Sequence, residues 1–135
     1  MIERDLKTYL VKSIKAQGGE GTRLEDKFAT GLPDLLLIPA PGPCFFAEVK
    51  LLSGRLLRCT TLQETWLDRL HREKRRGIWF SLGVILGYHA GDQMLYCGRP
   101  GEERKKSLWV SRPRRLDSSD WPISDLLFRY DQERD

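Results

Sequence analysis

Apolar side chains at Ile2, Leu6, Tyr9, Leu10 and Ile14 recur at the spacing of an amphipathic helix, which Gly18-Gly19 ends. A polar, mixed stretch follows, with a short strand expected around residues 22–24. Two apolar runs of strand length, 35–38 and 45–51, then flank Pro39-Ala40-Pro41-Gly42-Pro43, the pattern of an antiparallel hairpin on a five-residue turn. Thr61-Leu62-Gln63-Glu64 fits a capping box with Thr61 as N-cap and Glu64 closing it. Leu62, Trp66, Leu67 and Leu70 make the inward stripe of that helix, and a cationic run over 71–76 before Gly77 predicts about four turns. The run 78–88 is apolar and short on charge, so a buried strand is expected near 84–86, with a turn at 89–92 and a returning strand over 93–97. Residues 98–106 read as a polar loop, 108–110 as a further strand, and Arg112-Pro113-Arg114-Arg115 as a basic connector. Ile123, Leu126, Leu127 and Tyr130 predict a short final helix, with Ser119 or Asp120 near its start and Pro122 in its first turn. Helix, strands, helix, strands, helix is the order of an α/β fold, a central mixed sheet flanked by helices. At 135 residues without an internal repeat, one domain is expected.

Composition narrows the class only a little. Hydrophobic residues make up 40% and charged ones 31%, a soluble balance, while a net charge of +4 permits a polyanionic partner without proving one. Cys44, Cys59 and Cys97 are odd in number and far apart, which argues against a disulfide scaffold or a structural zinc site and for a reducing, cytoplasmic or otherwise intracellular setting. Neither a signal-peptide h-region nor an apolar run of membrane-spanning length is present, so no membrane partner is expected. Trp66 reads as core, and His71 and His89, not spaced as ligands, as surface residues.

The charges inside the apolar pattern change the picture more. A hairpin register centred on Pro41 sets Asp34 opposite Glu48, and cross-strand partners share a face with residues two apart on one strand. Asp34, Glu48 and Lys50 therefore project together from the end of the hairpin away from its turn. Two carboxylates so placed repel unless a cation or a shared proton relieves them. Asp34 after Pro33 could instead shape a turn, and Glu48 with Lys50 could be a solvated pair, but the hairpin is apolar on both parities, which makes solvated charge awkward there. On the first helix Glu3 falls between Leu10 and Ile14 in angle, inside the apolar stripe, where it either wants a partner or complements the helix dipole. Hydrolysis of a phosphodiester needs an activated water, a neutralised phosphoryl oxygen and a stabilised leaving alkoxide. Mg2+ or Mn2+ held by a few carboxylates can supply all three, with Lys50 to orient the water and the Val49 carbonyl as a further donor. Arg55 and Arg58 in the loop after the hairpin, and the clusters Lys74-Arg75-Arg76, Arg104-Lys105-Lys106 and Arg112 to Arg115, are either solvated charge or phosphate contacts.

Gly31-Leu32-Pro33-Asp34, then Glu48-Val49-Lys50, then Gln63-Glu64-Thr65-Trp66 at a helix start together resemble the PD-(D/E)XK nuclease superfamily, and are most similar to its VRR-NUC branch. The resemblance covers roughly residues 3–86 in matching order. It implies a restriction-endonuclease-like core and a Mg2+- or Mn2+-dependent endodeoxyribonuclease. In that reading Asp34 and Glu48 are metal ligands with the Val49 carbonyl, Glu3 completes the metal site, Lys50 is the catalytic lysine, and Gln63 lies at the site. Small stand-alone members, of viral type, act on branched DNA such as four-way junctions as homodimers, so DNA and a second copy of the chain are the implied partners. Residues 98–135 have no counterpart in the pattern. The competing expectations are a non-catalytic nucleic-acid-binding module of the same fold, or a nuclease subunit directed by another protein.

Overall fold

The computed structural model describes residues 2–24, 30–71, 81–111 and 121–133. Helix α1 (Glu3–Ala16) begins with Glu3 and Asp5 and ends with Lys15, charges that suit the two ends of its dipole. Gly18 takes a φ of 86°, open to glycine without strain, and so lets the Gly19 amide reach the Ile14 carbonyl at 2.9 Å and stop the helix. Strands β1 (Glu20–Arg23), β2 (Leu35–Ile38), β3 (Cys44–Leu52), β4 (Ser81–His89), β5 (Met94–Gly98) and β6 (Leu108–Ser111) form one sheet in sequence order. Every neighbouring pair is antiparallel except β3 and β4, which run parallel because helix α2 (Thr61–Leu70) carries the chain across between them. Helix α3 (Ile123–Glu133) closes the described chain, packed with α1 on one face of the sheet. The fold is α/β, a six-stranded mixed sheet with three helices packed against it.

Alternation along β3 explains the two faces. Phe45, Ala47 and Val49 are fully buried with Leu6, Leu10 and Ile14 of α1 and Leu126 and Leu127 of α3. The even positions face α2, where a second, smaller core gathers Leu67, Ile85, Tyr96 and Leu57. On β2 only the first face is closed: Leu35 and Leu37 are buried, while Ile38 stands 41% exposed. The expected two-sided burial of the hairpin therefore fails for β2 and holds for β3 only at Glu48, since Cys44, Phe46, Lys50 and Leu52 on the α2 face are half-buried.

Among the described residues beyond Gly98, Val110, Trp121, Ile123, Leu126, Leu127 and Tyr130 belong to this core. Trp121 packs edge-on to Tyr88 at 6.1 Å and Tyr130 edge-on to Phe45 at 6.2 Å. Gln17, just past α1, accepts from the Ser124 amide at 2.8 Å and donates to the Trp121 carbonyl, tying the two helices together.

Helix α2 departs from its sequence pattern in three ways. It ends at Leu70, with His71 in extended conformation, so it has ten residues. Ser81 donates to the Leu70 carbonyl and the Gly83 amide to His71 Nδ1 at 3.3 Å, so the strand that follows claims the helix end. His71 is accordingly half-buried and not a surface residue, and the cationic run 72–76 lies outside the described residues. Of its expected stripe only Leu67 is fully buried. Leu62 is 45% exposed, and Trp66 is half-buried with Arg69 stacked 6.0 Å from its ring centre. Third, the capping box uses Thr60 and Gln63 in place of Thr61 and Glu64.

Gly83 marks where α2 meets the sheet, since a Cβ there would strike the Leu67 backbone carbonyl. Gly83→Ala is expected to destabilise the chain by ~1–3 kcal/mol in urea denaturation, whereas Gly54→Ala, with open space around it, leaves the midpoint within ~0.5 kcal/mol of wild type. Equal midpoints for the two variants would refute the close approach. Among the described residues no helix is long and apolar enough to cross a membrane.

Candidate active site

The hairpin register is Leu35↔Ala47, Leu36↔Phe46 and Leu37↔Phe45, the one centred on Pro41. Ladder pairing stops at Leu35, one residue after Asp34. Continued by two places, the register would set Pro33 opposite Val49, and proline has no N–H to offer the Val49 carbonyl. The Asp34 carboxylate takes up the other half of that exchange: its Oδ2 accepts from the Val49 amide at 2.9 Å. Because the N–H and C=O of one strand residue face the same neighbour, the Val49 carbonyl opens toward Asp34 as well.

Glu48 comes from the α2 face of β3 and is 2% exposed. Gln63 reaches it from the first turn of α2, donating from Nε2 to Glu48 Oε1 at 2.9 Å. The capping box orients that amide, since Gln63 Oε1 accepts from the Thr60 amide at 2.9 Å, which turns Nε2 toward Glu48. Lys50 Nζ lies 3.8 Å from the same Glu48 oxygen. The other oxygen, Oε2, is buried without a hydrogen-bond partner among the described residues. Burial, then the charge of Asp34 and a hydrogen bond shared with it, push the Glu48 carboxyl up to about 8, while Lys50 and Lys7 pull the other way.

The structure thus brings together Asp34, Glu48, Lys50, Gln63 and the Val49 backbone. Glu3 is placed differently. It is half-buried in the first turn of α1, and among the described residues no three acidic, histidine or cysteine side chains converge closely enough to hold an ion by themselves. One turn further along the same helix, Lys7 is the residue that meets the site, with Nζ 3.1 Å from Asp34 Oδ1. The sequence signal for Lys7 is its place four residues after Glu3, at the rim of the apolar stripe. Arg55 and Arg58 are exposed and line, with Lys50, a groove of about 350 Å³. Lys74, Arg75 and Arg76 lie outside the described residues.

The donors that face one another fit a hard divalent cation: two carboxylates at the end of a strand pair, one with a buried oxygen that receives no hydrogen bond among the described residues, and a backbone carbonyl on the same edge. No family model and no curated protein matches this chain.

Proposed function

We propose that the chain is a Mg2+- or Mn2+-dependent DNA endonuclease of PD-(D/E)XK type, similar to the VRR-NUC branch, acting on branched DNA such as four-way junctions as a homodimer. The observation that carries the reading is the crowded pair itself: Asp34 and Glu48 held together, with Glu48 buried beside the Lys50 ammonium and its Oε2 receiving no hydrogen bond among the described residues. Gln63, Lys50 and Lys7 relieve that crowding only in part, and functional sites are where such strain is tolerated. Asp34, Glu48 and the Val49 carbonyl would hold the cation, whose contribution when bound is Lewis acidity toward a phosphoryl oxygen and a nucleophile at neutral pH. The chain's own residues supply the rest. Lys50 orients the attacking water and offsets charge on the phosphoryl group. Gln63 keeps Glu48 from rotating away, and Arg55 and Arg58 hold the sugar-phosphate backbone without reading its sequence.

The test is the purified chain on plasmid, single-stranded, flapped and four-way-junction DNA, with Mg2+, Mn2+ or EDTA. Cleavage is expected with either metal, fastest on the branched substrates, and none with EDTA. Binding with a steep salt dependence and no cleavage under any condition would identify a binding module instead. Light scattering on the same sample checks the dimer, which paired cuts across a junction require.

A further inference from the structure

The groove beside Lys50 is walled by the loop 53–58, whose one fully buried side chain is Leu57. Its lining carries three cations, Lys50, Arg55 and Arg58, and no carboxylate. A restraint on the loop comes from residues 101–104, nearly fifty positions later. Leu56 and Glu103 form an isolated antiparallel bridge. Around it the Leu57 amide donates to the Glu102 carbonyl at 2.9 Å, the Gly101 amide to the Leu57 carbonyl at 2.8 Å, and the Arg104 amide to the Arg55 carbonyl at 2.7 Å. Leu57 itself is fully buried in the second core, so the loop is pinned in the middle and zipped on both sides of the pin.

Arg104 completes the restraint with its side chain. One guanidinium nitrogen, Nη1, donates to the Gly54 carbonyl at 2.7 Å, and Nε lies 3.4 Å from Asp92 Oδ2. Asp92 is held in turn from the β4–β5 hairpin: the Tyr96 hydroxyl donates to its Oδ2 at 2.6 Å, the Met94 amide donates to its Oδ1 at 3.3 Å, and His89 Nδ1 lies 3.2 Å from Oδ1. The Arg104 side chain is only 17% exposed, so this arginine is spent on the protein and is not offered to a ligand. Its neighbours Lys105 and Lys106 are exposed.

We infer that Arg104 is a positioning residue: anchored by Asp92, it fixes the loop 53–58 so that Arg55 and Arg58 stand as a preset cationic wall beside Lys50, fitted to one phosphodiester backbone. Arginines on a mobile loop would lose both rotamer and loop freedom on gripping a phosphate, and a loop backbone already fixed avoids the second part of that loss. The ligand named here rests on the nuclease reading; the brace does not.

The experiment therefore has two arms, run on the full chain with Arg104→Gln, the milder Asp92→Asn, and, as a control for the loss of a partly buried arginine, Arg129→Gln in α3, whose side chain pairs with Asp125 and donates to the Trp109 carbonyl. In the first arm, trypsin under native conditions reads the loop directly, because Arg55 and Arg58 are its own cleavage sites. Cutting there is expected to rise about tenfold in the first two variants, the rate following the population of the open loop, with Arg129→Gln as slow as wild type. In the second, fluorescence anisotropy with a labelled single-stranded oligonucleotide in EDTA should show Kd raised ~5–10-fold and the salt slope reduced by ~1 for each phosphate that the loosened wall no longer grips. The turnover number with Mg2+ stays within about twofold while KM rises, a split that a general loss of structure would not produce. Unchanged trypsin resistance in both variants overturns the brace. Faster cutting with unchanged affinity overturns its role in binding. A wild-type chain that binds no oligonucleotide sinks the ligand assignment, while cleavage of the branched substrates separately decides the nuclease reading and the trypsin arm decides the brace.

Discussion

Lys50→Ala is expected to lower metal-dependent cleavage by ~10²–10⁴-fold, the range for removing a positioned acid–base group. Asp34→Asn is expected to lose at least as much. Lys50 sits where it can act on water and phosphate alike, 3.8 Å from Glu48 and in the lining of the Arg55–Arg58 groove. Asp34 orders the Val49 amide and supplies one of the two carboxylates. If the two act as a unit, the double variant loses little more than either single one. Binding separates the roles by sign. In EDTA, Asp34→Asn removes a negative charge from a surface meant for a polyanion, so its DNA affinity should equal or exceed wild type. Lys50→Ala removes a phosphate-gripping ammonium and should bind somewhat more weakly at low salt. Single-turnover rates on the best substrate, measured beside anisotropy, check both. Cleavage at the wild-type rate by either variant would reject the assignment of the site.

The second large effect is on stability. Glu48 titrates near 4.5 in an unfolded chain and is pushed up to about 8 in the fold, first by burial and then by Asp34. Between those values the folded protein holds a proton that the unfolded chain has released, so the stability tied to this group is fully present below about 4.5, declines as pH rises, and is lost above about 8. In EDTA, wild type should therefore lose on the order of a few kcal/mol across that window. Glu48→Gln keeps the neutral form at every pH and can donate to Asp34 as the protonated acid does, so its curve should be flatter and higher at pH 8. Mn2+ should stabilise wild type at that pH, because a ligand of the folded state alone shifts the equilibrium by mass action, and should stabilise Glu48→Gln far less. Urea denaturation at several pH values, with and without Mn2+, measures all of this. Superimposable curves for wild type and variant would show that the pair is not strained.

How far the site was legible depended on distance along the chain. The Asp34–Glu48–Lys50 grouping follows from a five-residue turn and the two-residue period of strands, both local rules, and the observed register keeps it. Gln63 was pointed to by the resemblance alone, while local pattern offered two overlapping boxes, Thr60 to Gln63 and Thr61 to Glu64, that fit the capping rule equally. The fold uses the first, in which Gln63 caps Thr60 and still reaches Glu48. Lys7 was overshadowed by Glu3, because a helical wheel gives angle around the axis and not which turn meets the sheet end. Trp66 and Leu62 read as core from spacing alone, yet α2 lies over the sheet chiefly through Leu67 and Gly83, which leaves its first turn at the surface over the carboxylates.

Local sequence pattern was enough for the element order, the hairpin and its register, and with them the meeting of two carboxylates and a lysine, since each of these rests on contacts between residues a few to fifteen apart. The rest arose only when the layers packed. Packing set Lys7 against Asp34, drew Gln63 onto Glu48, left Glu48 Oε2 buried without a hydrogen bond among the described residues, and braced the Arg55–Arg58 loop with Arg104 and Asp92. Those contacts join elements that local pattern rules treat separately, and burial, which sets the charge state of Glu48, exists only once the layers have closed over it.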